Sequence, residues 1–115
     1  MSAKRDPLVY LEDIHESLRV IQDYVKGMTE DEFEASLKTQ DAVIRRLLIM
    51  GEAAARLPEA FKLKHPEVPW HKIVGMRNRL VHDYDEVKLS VLWDTIREDF
   101  PMLTAQLKEV LGKED

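Results

Sequence analysis

Residues 6–27, DPLVYLEDIHESLRVIQDYVKG, decide the fold class. Leu8, Leu11, Ile14, Leu18, Ile21 and Val25 recur at steps of three and four, which lines them up on one face of an α-helix and is incompatible with strand alternation. Asp6 before Pro7 reads as an N-cap followed by a proline at the first helical position, where its missing N–H costs nothing. Gly27 supplies the stop. The spacing predicts a helix over about residues 7–26.

Outward from that helix the same period continues. Thr29 with Glu32 fits a capping box, and Phe33 and Leu37 add a short apolar face. A longer run passes from Asp41 through Ala42, Val43, Leu47, Met50, Ala54 and Leu57 and stops at Pro58, so residues 30–57 form one bent helix or two. His65-Pro66-Glu67-Val68-Pro69 excludes a regular helix. Helix resumes from Trp70 to about Val81, with Ile73, Val74, Leu80 and Val81 offered to a core, and runs into the turn-like His82-Asp83-Tyr84-Asp85. Leu89, Leu92, Ile96, Phe100, Leu103, Leu107 and Val110 give a last helix ending near Gly112, with a kink or a re-start at Pro101. The expectation is an all-α, up-and-down bundle of four main helices plus short helical segments.

Composition agrees. A chain of 115 residues is the size of one hydrophobic core, so residues 1–115 are read as a single domain. Hydrophobic residues at 44% are too many for a disordered chain, while Gly 4 and Pro 5 are too few for a sandwich of short strands. Cys 0 excludes disulfides, thiolate metal sites and a cysteine nucleophile. Met1 to Asp6 has Lys4 and Arg5 but no apolar run behind them, and no segment reaches the length of a membrane span; a soluble, cytoplasmic protein is expected.

The net charge of -5 argues against a uniformly basic coat for nucleic acid. The charge is unevenly spread. From Phe61 to His82, Lys62, Lys64, Lys72, Arg77 and Arg79 stand against Glu67 alone, +4, which leaves -9 for the rest. His65, His71 and His82 lie in the same segment. Such a stretch suits a site that meets phosphate, or is a solvated helix face with ordinary Lys/Arg content.

Within it, residues 77–84, RNRLVHDY, bring together a guanidinium, an imidazole and a phenol. Arg presents a fixed fork of donors to phosphate, and His exchanges protons near neutral pH. Arg77 and His82 are thus sufficient in kind for metal-independent RNA cleavage: His82 deprotonates a ribose 2′-hydroxyl and Arg77 stabilises the phosphorane. On a continuous helix five residues separate the two by roughly 140°, whereas Tyr84 returns to the face of Arg77. Either the helix ends before His82, or two copies of the segment meet across a dimer. Lys72 and Arg79 are candidate contacts to RNA phosphate. The plain alternative is a helix C-terminus at which Arg and His complement the macrodipole.

GMRNRLVHDYDEV (75–87) resembles the signature of the HEPN superfamily, in particular the HepT-like ribonuclease toxins with their R-x4-H-x-Y motif. QDAVIRRLLIMGEAAARLP (40–58) is similar to that family's second helix and VLWDTIREDFPML (91–103) to its last, so the resemblance spans about residues 7–111. It implies a dimeric helical-bundle endoribonuclease with its site in a cleft between protomers and no cofactor or metal. It places Arg77 and His82 in the catalytic positions, Asn78 in the polar position beside the arginine and Tyr84 as the motif tyrosine. It further implies a toxin–antitoxin pair in which a minimal nucleotidyltransferase silences the toxin by adding AMP to that tyrosine. Related bundles also serve as catalytically silent binding subunits of a nucleotidyltransferase, which is the alternative expectation.

Other residues invite other readings. His82-Asp83 is an HD dipeptide that would need His71 and Asp94 or Asp99 to hold a metal. Glu52, beside Gly51 and Ala53 to Ala55, either meets a buried partner such as an Arg or faces solvent, and the small residues there suggest close helix packing. Trp70 and Trp93 are expected as core or interface anchors rather than base-stacking platforms. Arg45 and Arg46 extend a basic groove or lie on a solvated face, and His15 is assigned no role.

Overall fold

A computed structural model describes residues 6–114; the reading of Lys4 and Arg5 lies outside them. The first helix, α1 (Pro7–Val25), begins where the Asp6 carboxylate accepts from the Leu8 N–H at 2.9 Å. It ends before Gly27, whose φ of +79° is a left-handed conformation that glycine adopts without strain. Leu11, Ile14, Leu18, Ile21 and Val25 are all buried, as the spacing predicts.

Residues 30–57 form two helices. α2 (Glu30–Ala35) opens with the expected capping box, in which the Thr29 hydroxyl accepts from Glu32 N–H and Glu32 accepts from Thr29 N–H. Ser36 then leaves the helical conformation and its hydroxyl caps α3 (Leu37–Arg56) by accepting from the Thr39 N–H. The Gln40 side chain donates to the carbonyls of Phe33 and Glu34, satisfying the end of α2. A serine side chain that serves the next helix better than the continuing one decides for two helices over one.

After Pro58 a short α4 (Glu59–Lys64) carries Phe61 against the His65 ring, at 4.9 Å, and against Trp70, at 6.3 Å. His65 to Pro69 break the helix as expected, and α5 (Trp70–His82) follows. A 3₁₀ turn at Tyr84–Glu86 leads to α6 (Leu89–Asp94), a π-helical turn at Thr95–Asp99 and α7 (Phe100–Glu114). The wider turn directly precedes Pro101, which has no N–H to continue an α-helical ladder; the rod is re-registered there rather than interrupted.

The main helices pack α5 on α3, α3 on α1 and α1 on α7, with α2 bracing α3 and α6. No strand occurs among the described residues. Both tryptophans belong to this core: Trp70 Nε1 donates to the His65 carbonyl at 3.0 Å, and Trp93 packs 5.4 Å from Phe33 with Arg97 over its face. Among the described residues no helix is long and apolar enough to cross a membrane.

α3 and α5 approach each other closely at Gly51. A Cβ at Gly51 would lie 2.2 Å from Cβ and 2.8 Å from Cγ of Arg77, and 3.3 Å from the Ile73 carbonyl oxygen. Gly51→Ala gains about 1 kcal/mol of helix propensity but forces apart two backbones held by short side-chain stems, an overpacking cost of about 1–3 kcal/mol. The expected outcome is net destabilisation, with a lower denaturant midpoint; an unchanged or raised midpoint would refute the close approach.

Candidate active site

Trp70, Ile73, Arg77 and Leu80 fall on one stripe of α5, turned toward α3. Arg77 therefore occupies a position that an apolar residue would take in an ordinary bundle. It fits because Gly51 leaves room for its stem. Its head emerges beside Glu52: Arg77 Nη2 donates to Glu52 Oε2 at 2.6 Å, and Nη1 donates to Asn78 Oδ1. Two neighbours hold the guanidinium plane while further N–H donors remain, the side chain being 28% exposed. Glu52 also accepts from Arg56 Nε at 3.4 Å. The hydrogen bond from Arg77, and then its charge, hold the Glu52 carboxyl below the usual carboxylate range.

His82 lies elsewhere. It is the last residue of α5 and exposed, so the helix does not end early enough for its imidazole to swing back. Successive 100° steps put it about 140° from Arg77 and on the side of Asn78, one turn away. Tyr84, beyond the helix end and 52% exposed, lines one groove with Glu52, the carboxylate that holds Arg77. Val81, expected in the core, is 53% exposed: its position on α5 points away from α3 while Leu80 beside it is buried.

Charge pairing changes the meaning of the basic segment. Lys64 lies 2.9 Å from Glu114, Lys62 lies 4.0 Å from Glu59 and Arg77 is held by Glu52, so three of the five cations have carboxylate partners. His65 is buried with Nε2 2.8 Å from Glu114, tying α4 to the end of α7. Lys64 and then His65, by hydrogen bonds, hold the Glu114 carboxyl low. Among the described residues Lys72 and Arg79 carry no ion pair. They line a groove between α5 and α6 on the side of α5 opposite Arg77, and so do not share its site within one chain.

Two further expectations are settled by placement. Among the described residues no three His, Asp or Glu side chains come together as a metal-holding group, so His71, His82, Asp83, Asp94 and Asp99 are not assembled around a centre. Arg45 lines the groove with Glu52 and Tyr84, while Arg46 lies on the Glu16 side of α3. Gly51 and the groove wall at Tyr10 carry no motif; the small and acidic pair Gly51-Glu52 inside an apolar helix was the available signal.

Comparison with known proteins gives one consistent result. The family described as Ribonuclease HepT-like matches residues 14–110. A protein of Thermococcus cleftensis named "Probable ribonuclease HepT" is 41% identical over 107 residues, 93% of this chain and 97% of that one. A protein of Caldanaerobacter subterraneus subsp. tengcongensis, named as a candidate RNase, is 39% identical over 110 residues, 96% of this chain and 98% of that one. A longer protein of Methanocaldococcus jannaschii, named as a gamma-glutamylcyclotransferase and candidate RNase, is 38% identical over 112 residues, 97% of this chain and 50% of that one. No solved structure matches. A match that runs from α1 almost to the end of α7 leaves one assignment: the chain belongs to the HepT-like ribonuclease family.

Proposed function

We propose that this protein is a metal-independent endoribonuclease, the toxin of a cytoplasmic toxin–antitoxin pair, that cleaves RNA through Arg77 and His82 of two different protomers. The observation that carries the reading is the guanidinium of Arg77, set with donors to spare by Asn78 and by Glu52, which itself lines a groove. His82 takes the proton of a ribose 2′-hydroxyl, the 2′ oxygen bonds to phosphorus, and the bond to the 5′ oxygen breaks as that oxygen takes up a proton. A 2′,3′-cyclic phosphate and a 5′-hydroxyl result. Arg77 gains strength as charge builds on the phosphorane, the point at which its fixed orientation matters most.

Divergence of Arg77 and His82 on one helix supports a shared site. A two-fold arrangement with α5 against its copy brings each Arg77 toward the other chain's His82. Lys72 and Arg79, unpaired in the groove between α5 and α6, are available to the phosphates of a bound strand.

Exposed Tyr84 suits modification by a nucleotidyltransferase antitoxin. Its phenol oxygen attacks the α-phosphate of ATP and releases pyrophosphate, and the resulting adenylate sets an anion beside the groove of Arg77 that repels RNA phosphate.

Arg77→Ala and His82→Ala are each expected to lower RNA cleavage by about 10²–10⁴-fold and to abolish growth inhibition. Mixing the two inactive variants should restore activity, since a mixed dimer rebuilds one intact site of its two. Absence of rescue rejects the shared site, cleavage equal to wild type in both single variants rejects the catalytic assignment, and a wild type that neither cleaves RNA nor inhibits growth marks a silent binding subunit. Incubation with ATP and the partner nucleotidyltransferase should raise the intact mass by whole AMP units in wild type but not in Tyr84→Phe; equal masses would dismiss Tyr84 as the acceptor.

Glu52 gives a pH signature. Its folded-state pKa is lowered, so its pairing stabilises the fold above the ordinary carboxylate range and that contribution is lost as pH falls through the lowered value. Glu52→Gln should cost about 0.5–1 kcal/mol at pH 7, since the pair is half exposed, and progressively less as pH falls through the lowered value and the carboxyl takes up its proton. A difference independent of pH in denaturant titrations would show that charge pairing is not what Glu52 contributes.

A further inference from the structure

We propose that the groove lined by α1, α3 and Tyr84 is a nucleobase subsite that selects guanine in the RNA strand presented to Arg77. The inference rests on the ribonuclease reading and adds to it the base that the enzyme recognises.

The groove has a volume of 740 Å³, ample for a nucleotide. Tyr10 of α1 and Tyr84 stand among its walls, and Ile44, Leu48 and Ile49 of α3 provide an apolar surface. Aromatic rings beside an apolar floor suit a flat heterocycle, which gains by stacking whatever its identity. Identity comes from the polar groups.

Asp13 on α1 and Asp41 at the start of α3 face this groove and have no hydrogen-bond or ion-pair partner among the described residues. Glu52, by contrast, is occupied by Arg77 and Arg56. With Arg45 and Arg56 counted, three carboxylates face two guanidiniums, so the interior carries no positive excess to draw in a phosphate chain. An ionised carboxylate only accepts hydrogen bonds, so it favours an edge of adjacent donors. Guanine alone among the four bases presents two such donors side by side on its Watson–Crick edge, N1–H and the 2-amino group. Adenine and cytosine place a ring acceptor next to their amino group, and uracil flanks its single N–H with two carbonyls; each opposes lone pairs to the carboxylate. Glu52 lies on the same groove and holds Arg77, so a base seated there brings its phosphate within the neighbourhood of the guanidinium.

The test separates binding from cleavage. Equilibrium dialysis of the whole protein against GMP, AMP, CMP and UMP is expected to show GMP bound at least tenfold more tightly than the others. Asp13→Asn and Asp41→Asn are to be measured singly and together; loss of that preference in at least one of them, with stacking retained in Tyr10→Phe, is the predicted pattern. Sequencing the cut ends of a random RNA pool should place guanine at one fixed position relative to the break, a bias that vanishes in the same aspartate variant while total cleavage persists. Binding of all four nucleotides alike, or a guanine preference that survives in the double aspartate variant, overturns the inference. RNA cleavage without base bias and without GMP preference overturns it while leaving the ribonuclease reading intact. GMP selectivity in a protein that cleaves no RNA overturns the ribonuclease reading and retains the subsite.

Discussion

Everything at the site depends on how closely α5 approaches α3. A hydrogen atom in place of a side chain at Gly51 lets the stem of Arg77 sit where a core residue would otherwise be, and Glu52, the next residue on the same helix, receives its charge. Packing and electrostatics are thereby one constraint. Widening the interface to admit a methyl group at residue 51 would also pull the guanidinium from its carboxylate, and a neutral residue at 52 would leave a half-buried cation in search of a partner. A glycine costs helix stability wherever it falls inside a helix; here it gives the stem of Arg77 room on the inner face of the bundle.

Periodicity made most of the fold legible. The stripe from Leu11 to Val25 and the runs around Met50 and Leu107 are buried as their spacing demands, and Asp6, Thr29 and Gly27 cap and stop helices as their chemistry predicts. What could not be read was decided by competition between local and tertiary bonds. Ser36 could equally have sat in the middle of a continuous helix, and only its bond to Thr39 with the return of Gln40 onto Phe33 and Glu34 splits the segment. The π-helical turn before Pro101 is likewise one of several ways for a helix to survive a proline, chosen by what the two flanking segments must pack against.

The site was legible in kind and not in arrangement. Arg77, Asn78, His82 and Tyr84 are visible as residue types with a recognisable spacing, and helical geometry alone separates Arg77 from His82. Pair formation is invisible to a charge count along the chain. The segment that sums to +4 is balanced at Lys64 by Glu114 and at Arg77 by Glu52, both distant in sequence. The positive potential that remains lies with Lys72 and Arg79, on the other face of the same helix. A linear tally marks the segment and carries no information on which face of its helix is electropositive.

The tie between Arg77 and Glu52 has a consequence for traffic at the site. An unpaired arginine open to solution binds whatever small anions surround it, and in a cell these include phosphate and nucleotides at high concentration. Here any such anion meets a charge already offset by a covalently attached, aligned carboxylate, and finds only the donors that Glu52 and Asn78 leave. A ligand that holds there therefore needs contacts beyond its own charge. The internal carboxylate thus offsets the charge of the guanidinium and weakens its hold on any single small anion.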